Sequence, residues 1–159
     1  MTRTGPHPLA FPAPPHLAHP TEPLSIWFTE PLGLLSQITR PATGSVEMAR
    51  FITDLAWPAL LELRGAGSQP LCIVHDLSLL EDVEPEAGRI MSLFGLSIRQ
   101  HIDRVVIIEP PALHRLVHLA ISAVGSALGL MGIPMELAPA LPGVLDQYAL
   151  RPLETHQGG

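Results

Sequence analysis

Residues 71–78 read Leu71-Cys72-Ile73-Val74-His75-Asp76-Leu77-Ser78. The run from Leu71 to His75 is short and almost wholly apolar, and Pro70 precedes it. That pattern suits a strand buried on both faces, as at the centre of a parallel sheet. Acidic residues begin where the apolar run stops: Asp76, Glu81, Asp82 and Glu84. Pro85 then suits the first turn of a helix, and the Glu84 and Glu86 carboxylates favour that helix's positive end. Ala87, Ile90, Met91, Phe94 and Ile98 follow at helical spacing and form its expected inner face.

The same alternation extends in both directions. Downstream, Val105, Val106, Ile107 and Ile108 are consecutive β-branched residues and predict a strand. Pro110 and Pro111 precede a long helix over residues 112–130, opening at Ala112 and closing at Leu130; Gly132 and Pro134 break it. Residues 135–138 predict a last strand, and residues 141–150 a last helix with Pro142 in its first turn. Upstream, residues 24–30 and 34–39 predict a hairpin around Pro31 and Gly33. Ser45 is the expected N-cap of a helix whose inner stripe is Met48, Ile52, Leu55, Ala59 and Leu63. Pro58 should kink that helix or start a second segment, and Gly65 should end it. The order β-β-α-β-α-β-α-β-α predicts an α/β fold: a mixed, mostly parallel sheet packed with helices, in one domain over residues 24–150.

Composition narrows the function. The chain has 159 residues, one domain's worth. Of its 18 prolines, seven lie before residue 24, so residues 1–23 are expected to be a disordered Pro- and His-rich arm. Residues 151–159 are expected to be a disordered C-terminal end. Cys72 stands alone, which excludes an intramolecular disulfide and a cysteine zinc knuckle. A net charge of -6 argues against general nucleic-acid binding. All nine basic residues are Arg, so a phosphate-binding loop that needs Lys is excluded. No G-x-S-x-G occurs. His114 and His118 have the spacing of a zinc pair, yet Arg115 occupies the place of the catalytic glutamate and no third ligand is evident. Prolines interrupt any apolar export segment near the start, so a cytoplasmic protein is expected. No cofactor and no catalytic residue is implied.

From residue 24 to about 150 the chain resembles the STAS family, the domain of anti-sigma-factor antagonists and of sulfate-transporter tails. The resemblance rests on Ile73-Val74-His75-Asp76-Leu77-Ser78, a strand ending in Asp-Leu-Ser with an acidic loop and a helix after it. Residues 105–108, the following helix and Ile133-Pro134-Met135 match the second half of the family's order. The resemblance implies a regulatory domain that acts by binding proteins, switched by phosphorylation of a serine where that loop meets the helix. Here Glu84-Pro85-Glu86 stand at that place and neither switch serine is present. Asp76, Ser78, Asp82, Glu84, Pro85 and Glu86 are therefore the equivalent of the switch loop, with Glu86 supplying at most a fixed charge.

Two functions are expected from this. The first is a non-enzymatic STAS-like domain that binds a protein partner and itself, without the usual serine switch. Its contact surface would be the small-residue face Ser122, Gly125, Ser126 and Gly129 of the long helix, because no Asp, Glu or Arg occurs between Leu116 and Met135. That apolar length approaches a membrane span, but its glycines, serines and β-α-β setting favour a covered face in a folded domain. The second is a small-ligand or divalent-metal site at the acidic loop, lined also by His75, because parallel sheets bind beyond the C-terminal ends of their strands.

Overall fold

A computed structural model of the chain describes residues 9–110, 132 and 134–154. Its strands, in chain order, are Leu17–Ala18 (β1), Leu24–Glu30 (β2), Gly33–Ile38 (β3), Ala42–Gly44 (β4), Leu71–Asp76 (β5), Leu80–Val83 (β6), Ile102–Ile108 (β7), Met135–Ala138 (β8) and Arg151–Pro152 (β9). The main sheet runs β1-β2-β3-β5-β7-β8, and β9 also pairs with β2. Its first three strands are antiparallel; β3, β5, β7 and β8 are mutually parallel. This is the mixed, mostly parallel α/β sheet expected, with the 71–76 strand at its centre.

Side chains alternate across the sheet and build two cores. Ile26, Phe28, Leu34, Ile73, Val105 and Ile107 face one way. Trp27, Leu35, Val74, Val106 and Ile108 face the other. Strands buried on both faces have to be apolar throughout, which is why residues 71–75 and 105–108 read as unbroken runs. Gly33 opens β3 directly beside Cys72 of β5. A Cβ there would collide with the Cys72 carbonyl, so the close approach requires glycine.

The first helical stretch runs through Val46–Arg50 (α1), a π-helical segment Phe51–Ala56, and Trp57–Arg64 (α2). Ser45 caps it as expected, its Oγ accepting the Met48 N–H at 3.2 Å. The Trp57 N–H bonds the Ile52 carbonyl, five residues back. The cause is Pro58, which has no N–H and whose ring would press on the carbonyl four residues before it; a widened turn relieves that clash. The widened turn takes up one more residue, so the buried stripe shifts. Ala56, Trp57 and Leu60 are buried, while Leu55 and Leu63 are each 49% exposed. The expected stripe is corrected at Leu55 and Leu63, while Ala59 packs against the core as expected. Gly65 ends the helix with a φ of 65°, its N–H reaching the Leu61 and Glu62 carbonyls.

Pro85–Ser97 (α3) begins at Pro85 as expected and lies against the same sheet face as α1. Leu141–Gln147 (α4) covers the opposite face with Leu141 and Val144. The segment at residues 80–83, expected to be loop, is instead β6, which pairs in parallel with β4 in a separate two-stranded sheet.

Residues 9–23 correct the expectation of a disordered arm. Phe11 is buried and meets the Trp27 ring edge-on at 5.9 Å. The Ala10 N–H donates to Gln37 Oε1 at 2.9 Å, and Trp27 Nε1 donates to the Ala13 carbonyl at 3.2 Å. Then β1 adds to the edge of β2. Residues 151–154 are corrected likewise: β9 pairs with β2, and the Leu153 N–H donates to the Phe28 carbonyl at 2.8 Å. His16 ties the two ends together. Its Nδ1 accepts the Phe28 N–H at 3.0 Å and its Nε2 donates to the Leu153 carbonyl at 2.8 Å. Prolines shorten the list of conformations that ordering has to suppress, so a Pro-rich segment docks at a smaller entropic cost. Residues 1–8 and 155–159 lie outside the described residues.

Candidate functional site

Between the sheet and the helices α1 and α3 lies a cavity of about 170 Å³. Its floor comes from the parallel strands, where Ser36, His75 and Ile107 sit side by side in register on β3, β5 and β7. Met48 and Ile52 form one wall, Met91 and Phe94 the other. The two methionines are unbranched and adapt their shape to what they contact. Most of the lining is apolar, with the hydroxyls of Ser36, Ser45 and Ser92 and the imidazole of His75 as its polar side chains.

His75 is the penultimate residue of β5, near the carboxyl edge of the parallel sheet where such folds place ligands. Its Nδ1 lies 2.6 Å from Ser36 Oγ. Burial opposes the charged imidazolium and pushes its pKa down to about 4, so the ring is neutral at physiological pH. Asp76 does not partner it. Adjacent strand residues face opposite ways, and Asp76 is buried on the other side, accepting from Gln37 Nε2 at 3.0 Å and from the Ser78 N–H at 3.1 Å. A His75–Asp76 acid–base pair is thus excluded by the pleat.

The residues expected as the switch-loop equivalent are spread apart. Asp82 is exposed on β6 and accepts the Val83 N–H at 2.8 Å. Glu84 Oε1 accepts the Val46 N–H at 2.9 Å, and the Glu84 N–H donates to the Gly44 carbonyl, so this acid joins the start of α1 to the start of α3. Pro85 fills the first turn of α3. Glu86 bonds Arg89 at 2.7–2.8 Å on the exposed surface, and that hydrogen bond holds its carboxyl below the usual range. Each acid thus faces a different structural partner. Among the described residues, no three His, Cys, Asp or Glu side chains are grouped to hold a metal ion. Cys72 is a free, half-buried thiol whose pKa burial raises to about 11, so it stays protonated and inert.

Ser122, Gly125, Ser126 and Gly129, with His114 and His118, lie outside the described residues. Among the described residues no helix is long and apolar enough to cross a membrane. Sequence reasoning missed Ser36, Met48 and Met91 as site residues. One signal for Ser36 was present: it is a polar residue in register with His75, inside a strand buried along its whole length.

No protein-family model and no curated protein sequence matches the chain. The chain is similar in structure to an uncharacterized protein of the DUF3478 family with a SpoIIAA-like fold from Shewanella loihica PV-4. The TM-score is 0.53 at 17% identity, covering 78% of this chain and 90% of that one. The fold is therefore SpoIIAA-like, the fold of the STAS family that the sequence resembles.

Proposed function

We propose that this SpoIIAA-like fold serves as a non-enzymatic, cytoplasmic binding domain that takes a small apolar molecule into the cavity between α1, α3 and the sheet. The cavity carries this reading. A void of about 150 Å³ is enough to bind benzene, so about 170 Å³ suits a single ring or a short chain. A ligand that fills it covers apolar lining and adds packing contacts that water does not make. The neutral His75 and the protonated Cys72 supply neither a strong base nor a thiolate, which supports binding rather than catalysis.

Regulation through a protein partner or a second copy would rest on residues 112–130, which lie outside the described residues, and no described surface favours it over the cavity. The spread of the acids around Asp76 and Glu84 likewise favours an apolar ligand over a divalent metal.

Thermal denaturation with single-ring hydrocarbons tests the proposal. Free ligand at ten times its Kd stabilises by about 1.4 kcal/mol, a Tm rise of roughly 3–6 °C. Gly88 lines the cavity and a Cβ there meets nothing within 4 Å, so Gly88→Leu has room to fold and is expected to abolish the rise. The proposal fails if no compound shifts the Tm and native mass spectrometry of freshly purified protein finds no bound molecule.

A further inference from the structure

We infer that the cavity selects an uncharged ligand, a single ring or short chain carrying one hydrogen-bond acceptor such as a carbonyl, and seats that acceptor on the Nε2–H of His75. The inference rests on the reading of the cavity as a ligand site and adds the polarity of what it takes. It begins with the Ser36 hydroxyl, which is buried and bonded to His75 Nδ1. Among the described residues it has no other side-chain hydrogen bond. A buried hydroxyl keeps its proton in a hydrogen bond, so Ser36 donates and Nδ1 accepts. The imidazole proton then sits on Nε2.

That Nε2–H has no protein acceptor among the described residues, and His75 lines the cavity. A ligand that fills the cavity takes this donor out of reach of water, and leaving it unmet is then costly, so the complementary ligand brings an acceptor. The other hydroxyls of the lining are already engaged: Ser45 donates to Glu22 Oε1 at 2.7 Å and Ser92 to the Gly88 carbonyl at 2.8 Å. Among the described residues, no Arg, Asp or Glu lines the cavity. A carboxylate or ammonium group would therefore enter without a counter-charge, which apolar surroundings penalise heavily. The burial that keeps the imidazole neutral acts against a ligand charge for the same reason.

Three probes of similar shape separate these terms: acetophenone, isopropylbenzene and benzoate. Binding is followed on 13C-labelled methyl groups of Met48 and Met91, which line the cavity. The probes differ in hydration, so the quantity read is the affinity ratio of acetophenone to isopropylbenzene, compared between the wild type and His75→Leu. Losing one hydrogen bond should lower that ratio by about threefold to tenfold. Benzoate at pH 7.5 should show no binding at concentrations that saturate with acetophenone. Long-range 1H–15N spectra of the wild type should show the His75 proton on Nε2, shifted by acetophenone and not by isopropylbenzene. That measurement decides the matter if His75→Leu does not fold. An unchanged ratio, benzoate binding as tight as acetophenone, or a proton on Nδ1 overturns this inference and leaves the cavity reading standing. Failure of all three probes to bind removes both.

Discussion

His75 is the residue on which the site turns, and its burial makes a pH-dependent prediction. The unfolded imidazole takes up a proton near pH 6.5, the folded one only near pH 4. Between those values the unfolded chain binds more protons, so acid favours it. This contribution is complete above about pH 6.5, declines as the pH falls toward 4, and is then level. The loss is about 3 kcal/mol at most, readable as the difference in urea midpoint between pH 7 and pH 4. Replacing His75 by Gln should flatten that profile; an unaltered slope would mean that other groups carry it. Gly33 is the second residue whose role is local. Gly33→Ala forces a methyl against the Cys72 carbonyl and should cost about 1–3 kcal/mol in the same assay. His75 was visible in the sequence as the end of an apolar run, but its partner was not. Pairing Ser36 with it depends on the register of two strands separated by 39 positions, which no local pattern reports.

At the scale of elements, the helix from Val46 to Arg64 shows how one residue redirects a face. A 3.6-residue period predicts that Leu63 is buried; the π-helical turn before Pro58 moves that role to Leu60. Leu60→Ala should therefore cost about 2–5 kcal/mol, and Leu63→Ala within about 0.5 kcal/mol of nothing. Chemical denaturation of the two variants checks this, and equal costs would contradict the shifted stripe. Most other element starts were legible because proline and capping residues mark them: Ser45, Pro85 and Pro142 all stand in the first turn or cap where the pattern expects them. The strands β4 and β6 were not legible. They are short, partly polar and stable only as a pair, which places their signal in a contact rather than in either segment.

At the scale of the whole molecule, residues 9–18 and 151–154 close the edge of the sheet. The arm brings Phe11 onto Trp27, and His16 fastens it to both β2 and the C-terminal segment. A chain starting at Leu24 should thus lose more than about 3 kcal/mol of stability, and its Trp fluorescence should move to the red as Trp27 loses its cover. A truncated chain as stable as the full one would show that the arm contributes nothing. The amino-acid sequence by itself determined the class and order of the fold. Period-2 and period-3.6 apolar patterns, with prolines as punctuation, are local properties that survive without knowledge of the partner. It also excluded the intramolecular disulfide and the Lys-dependent nucleotide loop, since those need residues the chain lacks. Only the tertiary structure decided that the Pro-rich arm folds back, that Asp76 meets Gln37, and that Ser36, His75, Met48 and Met91 share one cavity. Each of those facts is a meeting of distant segments. Strand register and the packing of helices on a sheet set such meetings, and they depend on the free energy of the assembled core rather than on any one stretch of chain.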